Sequence, residues 1–210
     1  MSETILVTGA SAGFGQAICR RLVADGYRVI GSARRIDKLH ALQEELGEAF
    51  YPLQMDVTDL SQVDHALASL PKAWERVDVL VNNAGLALGL APAYEAEIAD
   101  WLTMIQTNIV GLTYLTRKIL PQMVERNDGY IINLGSTAGT VPYPGANVYG
   151  ASKAFVKQFS LNLRADLAGK KIRVSNIEPG LCEGTEFSSV RFKGDEKRVE
   201  ALYRDAHAIQ

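Results

Sequence analysis

Short apolar runs alternate along the whole chain with longer amphipathic stretches. That alternation is the pattern of strands and crossover helices in a parallel sheet. The short runs predict strands at Ile5–Thr8, Arg28–Ser32, Phe50–Met55, Val77–Asn82, Gly129–Leu134 and Arg173–Ile177. Helices are predicted near Gly13–Asp25, Ile36–Leu46, Leu60–Leu70, Ile98–Glu125 and Tyr149–Leu167. Ile5-Leu6-Val7 and Val79-Leu80-Val81 are continuously apolar, as strands covered on both faces should be. Past Gly180 the pattern weakens, and the charged stretch Ser188–Arg204 reads as short helices and loop.

No linker, repeat or low-complexity segment interrupts the alternation, so 210 residues are expected to form one α/β domain. An apolar fraction of 47% is ample for its core. A net charge of −2 gives no electrostatic reason to seek nucleic acid or an anionic membrane. Cys19 and Cys182 have no paired spacing, which suggests neither a disulfide framework nor a metal site. The start Met1-Ser2-Glu3-Thr4 lacks a signal-peptide pattern, and no apolar run is long enough to span a bilayer. A cytoplasmic setting is the resulting expectation.

The first strand leads into Thr8-Gly9-Ala10-Ser11-Ala12-Gly13-Phe14-Gly15 and then a helix. Glycines at that junction allow a tight turn and the close approach of a phosphate to the positive helix N-terminus. The second strand ends Ser32-Ala33-Arg34-Arg35, with no acid until Asp37. An NAD site usually offers an acidic side chain there to the ribose hydroxyls, whereas two guanidiniums suit a 2′-phosphate. NADP(H) is therefore the expected cofactor.

Tyr149 and Lys153 stand four residues apart and fall on one helix face. A phenol ordinarily titrates near pH ~10, and a fixed positive charge beside it favours the phenolate. Such a pair can serve as a general acid/base when a cofactor site lies in the same chain.

With the glycine turn, the tyrosine and the lysine in place, the chain resembles the short-chain dehydrogenase/reductase family from Ile5 to about Gly180. Asn82-Asn83-Ala84-Gly85 closes the fourth strand, Asp56-Val57 follows the third, and Pro179-Gly180 follows the sixth. Asn108 lies in the long helix and Ser136 ends the fifth strand. The resemblance implies a three-layer, Rossmann-type doubly wound parallel sheet, here with six strands visible and the family's seventh missing. It implies cofactor contacts from Gly9, Ser11, Gly13, Phe14, Gly15, Arg34, Arg35, Asp56, Val57, Asn82, Ala84, Gly85, Tyr149, Lys153, Pro179, Gly180 and Thr185. It also implies catalytic roles. Tyr149 would exchange a proton with the substrate oxygen, and Ser136 would hydrogen-bond that oxygen. Lys153 would lower the phenol pKa and hold the nicotinamide ribose. Asn108 would hold a water linking Lys153 to solvent.

Longer stretches are similar to one bacterial branch of the family, the NADP-dependent 3-hydroxy acid dehydrogenases: Trp101–Asn108, Asn147–Arg164, Ile177–Gly180, Gly184–Ser188 and Val190-Arg191-Phe192. This implies a short hydroxy acid or its semialdehyde as substrate, such as L-serine, L-allo-threonine or 3-hydroxypropionate. Alternatives are a reductase of broader carbonyl compounds and an inactive NADP-binding sensor. A carboxylate calls for a cation, and Arg191 is the candidate, although it reads equally as a surface arginine beside Lys193 and Asp195. Glu178 is a weaker candidate for a substrate amino group, and Tyr143 for a pocket wall. Residues 181–210 are expected to be a partial substrate-covering segment, with Asp205–Gln210 adding no further apolar run. Without a seventh strand the sixth would be an unpaired edge. A homodimer through the helices at Ile98–Glu125 and Tyr149–Leu167 is accordingly expected over a tetramer.

Overall fold

The computed structural model describes residues 3–204, so the expectations resting on Met1-Ser2 and Asp205–Gln210 lie outside the described residues. Six parallel strands form one sheet: β1 Thr4–Thr8, β2 Arg28–Ala33, β3 Phe50–Gln54, β4 Val79–Asn82, β5 Gly129–Leu134 and β6 Ile172–Ile177. Their order is β3-β2-β1-β4-β5-β6. The chain winds outward from β1 in one direction, then restarts at β4 and winds outward in the other. The crevice between β1 and β4 is thus the switch point at which ligands bind in doubly wound sheets.

Side chains alternate across this sheet and build a core on each face. Leu6, Ile30, Leu80 and Ile131 pack with residues of α3 (Leu60–Ala68), α5 (Leu112–Arg126) and α6 (Asn147–Asp166). Ile5, Val7, Val29, Val79 and Val81 pack with residues of α1 (Gly13–Ala24) and α2 (Ile36–Leu46). These are the three layers expected from the continuous apolar runs. Pro52, which cannot donate to a ladder, sits in the edge strand β3. At the opposite edge, β6 pairs only with β5 among the described residues, and its Ile177 is half exposed.

Two boundaries differ from expectation for a visible reason. Ladder pairing in β4 begins at Val79 rather than Val77, because the Asp78 carboxylate accepts from Thr4 N (3.0 Å) and from Arg76 Nε (2.6 Å). The stretch predicted as one helix over Ile98–Glu125 is α4 (Ile98–Ile105), a π-helical turn (Gln106–Gly111) and α5. Apolar periodicity does not register this widened turn, since the helix axis continues through it. Past Gly180, α7 (Phe187–Arg191) and α8 (Glu196–Arg204) are the short helices that the charged stretch predicts.

Candidate active site

A cleft of about 390 Å³ opens at the C-terminal ends of β1 and β4. Its floor is the glycine turn. Gly9 and Gly13 hold φ of +67° and +51°, which side chains disfavour. A Cβ on Gly15 would stand 2.2 Å from Gly9 O, so this glycine serves the close packing of helix on turn. The cradle is therefore shaped for a group that approaches the backbone at a helix N-terminus, and it fits a dinucleotide pyrophosphate.

Of the residues expected to contact cofactor, Gly9, Ser11, Gly13, Phe14, Arg34, Arg35, Asp56, Val57, Ala84, Gly85, Tyr149, Lys153, Pro179, Gly180 and Thr185 all line this cleft, and so does Ser136. Two do not. Gly15 lies behind the turn. Asn82 faces the core, where its amide donates to Thr116 Oγ1 and Asn133 Oδ1, both at 2.9 Å. Its neighbour Asn83 takes the expected place. Asn83 lines the cleft and donates to Thr8 O at 2.7 Å, tying the loop after β4 to the glycine turn. Alternation could not have separated the two, because β4 is buried on both faces and ends at Asn82.

The catalytic candidates converge on the other end of the cleft. Buried positions Tyr149, Ser152, Lys153 and Val156 define the inward face of α6. Lys153 Nζ donates to Leu134 O at 2.8 Å, and its burial pushes the ammonium down to about 8. Asn108 is fully buried in the π turn. Its Oδ1 accepts from Leu86 N, while its Nδ2 donates to Leu86 O and Ser152 Oγ, all within 3.0 Å. Gly85 makes this convergence possible: a Cβ there would lie 3.2 Å from Asn108 Oδ1 and 3.4 Å from Lys153 Nζ. The single π turn is what aims Asn108 at this point. Ser136 Oγ accepts from Ala138 N (3.2 Å) and so caps a 3₁₀ turn, yet it still lines the cleft.

Tyr149 corrects one expectation. Burial raises its phenol above the ordinary value; the Ser136 hydroxyl and the Arg191 charge lower it by less than burial and the neighbouring Tyr143 raise it. Lys153 Nζ stands 5.9 Å from the ring centroid and donates to Leu134 O.

Arg191 is not a surface residue. It is 4% exposed, donates from Nε to Gly89 O (3.0 Å) and from Nη2 to Tyr143 Oη (3.1 Å), and sits 5.7 Å from the Tyr149 ring centroid. Arg191 and Tyr143 therefore form a unit beside the Tyr149 phenol, although neither lines the cofactor cleft itself; Arg191 lines an adjoining cavity of about 180 Å³. Glu178 does not join them. Its carboxylate is held by Asn176 Nδ2 (2.7 Å) and the Lys157 ammonium (3.3 Å), and it does not line the cleft.

The segment after Gly180 folds back over the cleft. A Cβ on Gly13 would meet Thr185 Cβ at 3.3 Å, and the Phe187 ring lies 5.8 Å from Tyr149. Phe187, Val190 and Glu186 line the cleft and were not anticipated; no spacing rule marks residues brought in by a returning loop. Among the described residues no cluster of His, Cys, Asp and Glu could hold a metal ion, and no helix is long and apolar enough to cross a membrane.

A doubly wound sheet with a glycine turn, a buried Tyr-x3-Lys pair and a converging Ser and Asn defines a dinucleotide-dependent oxidoreductase. The chain belongs to the short chain dehydrogenase family, whose model matches residues 3–196. It is 60% identical over 209 residues to a probable NADP-dependent dehydrogenase of Haemophilus influenzae, spanning all of this chain and 83% of that one. It is 58% identical over 205 residues to the NADP-dependent 3-hydroxy acid dehydrogenase YdfG of Escherichia coli, spanning 98% and 83%. Among solved structures, a closed form of serine dehydrogenase in complex with NADP+ superposes with a TM-score of 0.95 at 57% identity. That superposition covers 97% of this chain and 82% of the other.

Proposed function

We propose that this protein transfers a hydride between NADP(H) and the alcohol or carbonyl of a short 3-hydroxy acid, of the serine, allo-threonine or 3-hydroxypropionate type. The observation that carries the substrate class is buried Arg191 beside Tyr149. A desolvated guanidinium next to the proton-exchanging phenol suits a carboxylate attached close to the reacting carbon. Similarity to the relatives named above supports the same reading.

The nicotinamide supplies the hydride when bound. The glycine turn would receive the pyrophosphate, Arg34 and Arg35 the 2′-phosphate, Asp56 and Val57 the adenine side, and Lys153 the ribose near the reacting end. Tyr149 donates its proton to the carbonyl oxygen in reduction and accepts it back in oxidation. A phenol kept protonated by burial suits donation, and the Arg191 charge tempers that bias. Ser136 stabilises charge developing on the same oxygen. Asn108, locked by Leu86, positions the loop after β4 against Lys153.

A homodimer accompanies this reading. Ile98, Leu102 and Ile105 form an exposed apolar stripe on α4, and Phe155 and Leu161 are exposed on α6. Such faces on adjoining helices suit a self-complementary contact.

Initial rates with NADP+ on L-serine, L-allo-threonine and 3-hydroxypropionate, set against NADPH-dependent reduction of an uncharged diketone, test the substrate class. Turnover confined to the acids is expected; equal or better rates on the diketone refute it.

A further inference from the structure

Glu186, the residue before α7, has its carboxylate between two cations on the cofactor side of the cleft. Oε2 lies 2.8 Å from Arg35 Nη2, and Oε1 lies 3.0 Å from Lys38 Nζ. Arg35 also donates from Nε (3.2 Å) and Nη2 (3.0 Å) to Ser11 Oγ in the glycine turn. Ser11, Arg34, Arg35 and Glu186 all line the cleft. The cluster thus has the chemistry of a phosphate site, two guanidiniums and a hydroxyl with an ammonium beside them, and it already holds an anion. That anion belongs to the chain's own covering segment. The hydrogen bonds from Arg35 and Lys38 keep the Glu186 carboxyl below its ordinary range, so it is ionised near neutrality.

We propose that Glu186 is a resident anion that competes with the cofactor's 2′-phosphate for Arg35 and Lys38. Resting on the NADP(H) reading, this makes the ion pair a brake on binding of the 2′-phosphate. A phosphate carries a charge of about −1.5 to −2 near neutral pH, against −1 for a carboxylate. All three side chains are between 42% and 45% exposed, so the ion pairs are weak enough to be exchanged. A cofactor without the 2′-phosphate leaves the Glu186 ion pairs in place. Glu186 and Lys38 then set the margin between NADP and NAD, beyond the contribution of the two arginines.

Calorimetric titration of the full chain with adenosine 2′,5′-bisphosphate and with 5′-AMP separates the two readings without catalysis. Glu186→Gln is expected to bind the bisphosphate about three- to fivefold more tightly than wild type, the scale of one exposed ion pair, with AMP unchanged. Lys38→Gln is expected to bind the bisphosphate more weakly by a similar factor, again with AMP unchanged. Unchanged or weaker bisphosphate binding by Glu186→Gln, or an equal shift for both ligands, overturns the competition. A wild-type protein that does not prefer the bisphosphate to AMP refutes the NADP(H) reading itself.

Discussion

Replacing Lys153 by Met separates what the buried ammonium does for function from what it costs the fold. Lys153 is 7% exposed, and burial lowers its pKa from 10.5 to about 8. The unfolded chain therefore binds more protons than the native one between those two values. Stability contributed at this site accordingly rises as pH rises through the window, the opposite of a lysine paired with an acid. The full displacement corresponds to about 3 kcal/mol of native-state penalty below pH ~8. About 2 kcal/mol of that penalty is relieved between pH ~7 and ~9.5, before other lysines and tyrosines dominate. Lys153→Met removes the term but also leaves Leu134 O without its donor, a cost that does not depend on pH. The readout is the difference between the two proteins in denaturant unfolding across that range. Wild type should gain on the variant by about 2 kcal/mol as pH rises, whatever the constant offset. A difference that stays flat, or moves the other way, refutes the argument that Lys153 is held against its own charge.

Tyr149→Phe should lower turnover by roughly 10²–10⁴-fold while NADPH fluorescence titration shows unaltered binding; retained turnover removes Tyr149 from the proton path. Arg191→Lys should raise KM for a hydroxy acid and Arg191→Ala more so, with little change in NADP+ affinity, because the guanidinium fork and not charge alone suits a carboxylate. An unchanged KM in both variants withdraws the carboxylate role. Arg34→Ala combined with Arg35→Ala should cut the preference for NADP+ over NAD+ by roughly tenfold or more, read by direct binding of each cofactor. Leu102→Glu, placed in the exposed stripe on α4, should convert a dimer into a monomer by light scattering; a wild-type monomer, or a variant still dimeric, refutes that interface.

Strand positions and the cofactor turn were legible because both depend on neighbours in sequence. Buried parallel strands must be continuously apolar, and a turn that bares its amides must be glycine-rich, so Ile5–Gly15 announces itself. Tyr149 and Lys153 were legible for the same reason, since helical spacing alone puts them on one face. The π turn was not, because inserting Asn108 into the site costs one widened turn that leaves the apolar rhythm intact. Nor could apolar pattern tell Asn82 from Asn83: the pair straddles the end of β4, and the last paired residue decides which faces the core.

The sequence by itself determined the strands of the sheet, the phosphate cradle and the placing of Tyr149 and Lys153 on one helix face. Tertiary structure alone decided where the charges lie. Arg191, readable as a surface residue beside Lys193 and Asp195, is buried against Tyr143 and Tyr149 because the covering segment returns across the cleft. Glu178, adjacent to a conspicuous proline, is spent on Lys157 instead. The phenol of Tyr149 is governed by its burial, Ser136 and Arg191, while Lys153 is turned toward Leu134. Electrostatic roles follow from distances and desolvation between segments more than a hundred residues apart in cases such as Arg191 and Gly89. No local spacing encodes those distances, so they exist only once the chain has folded.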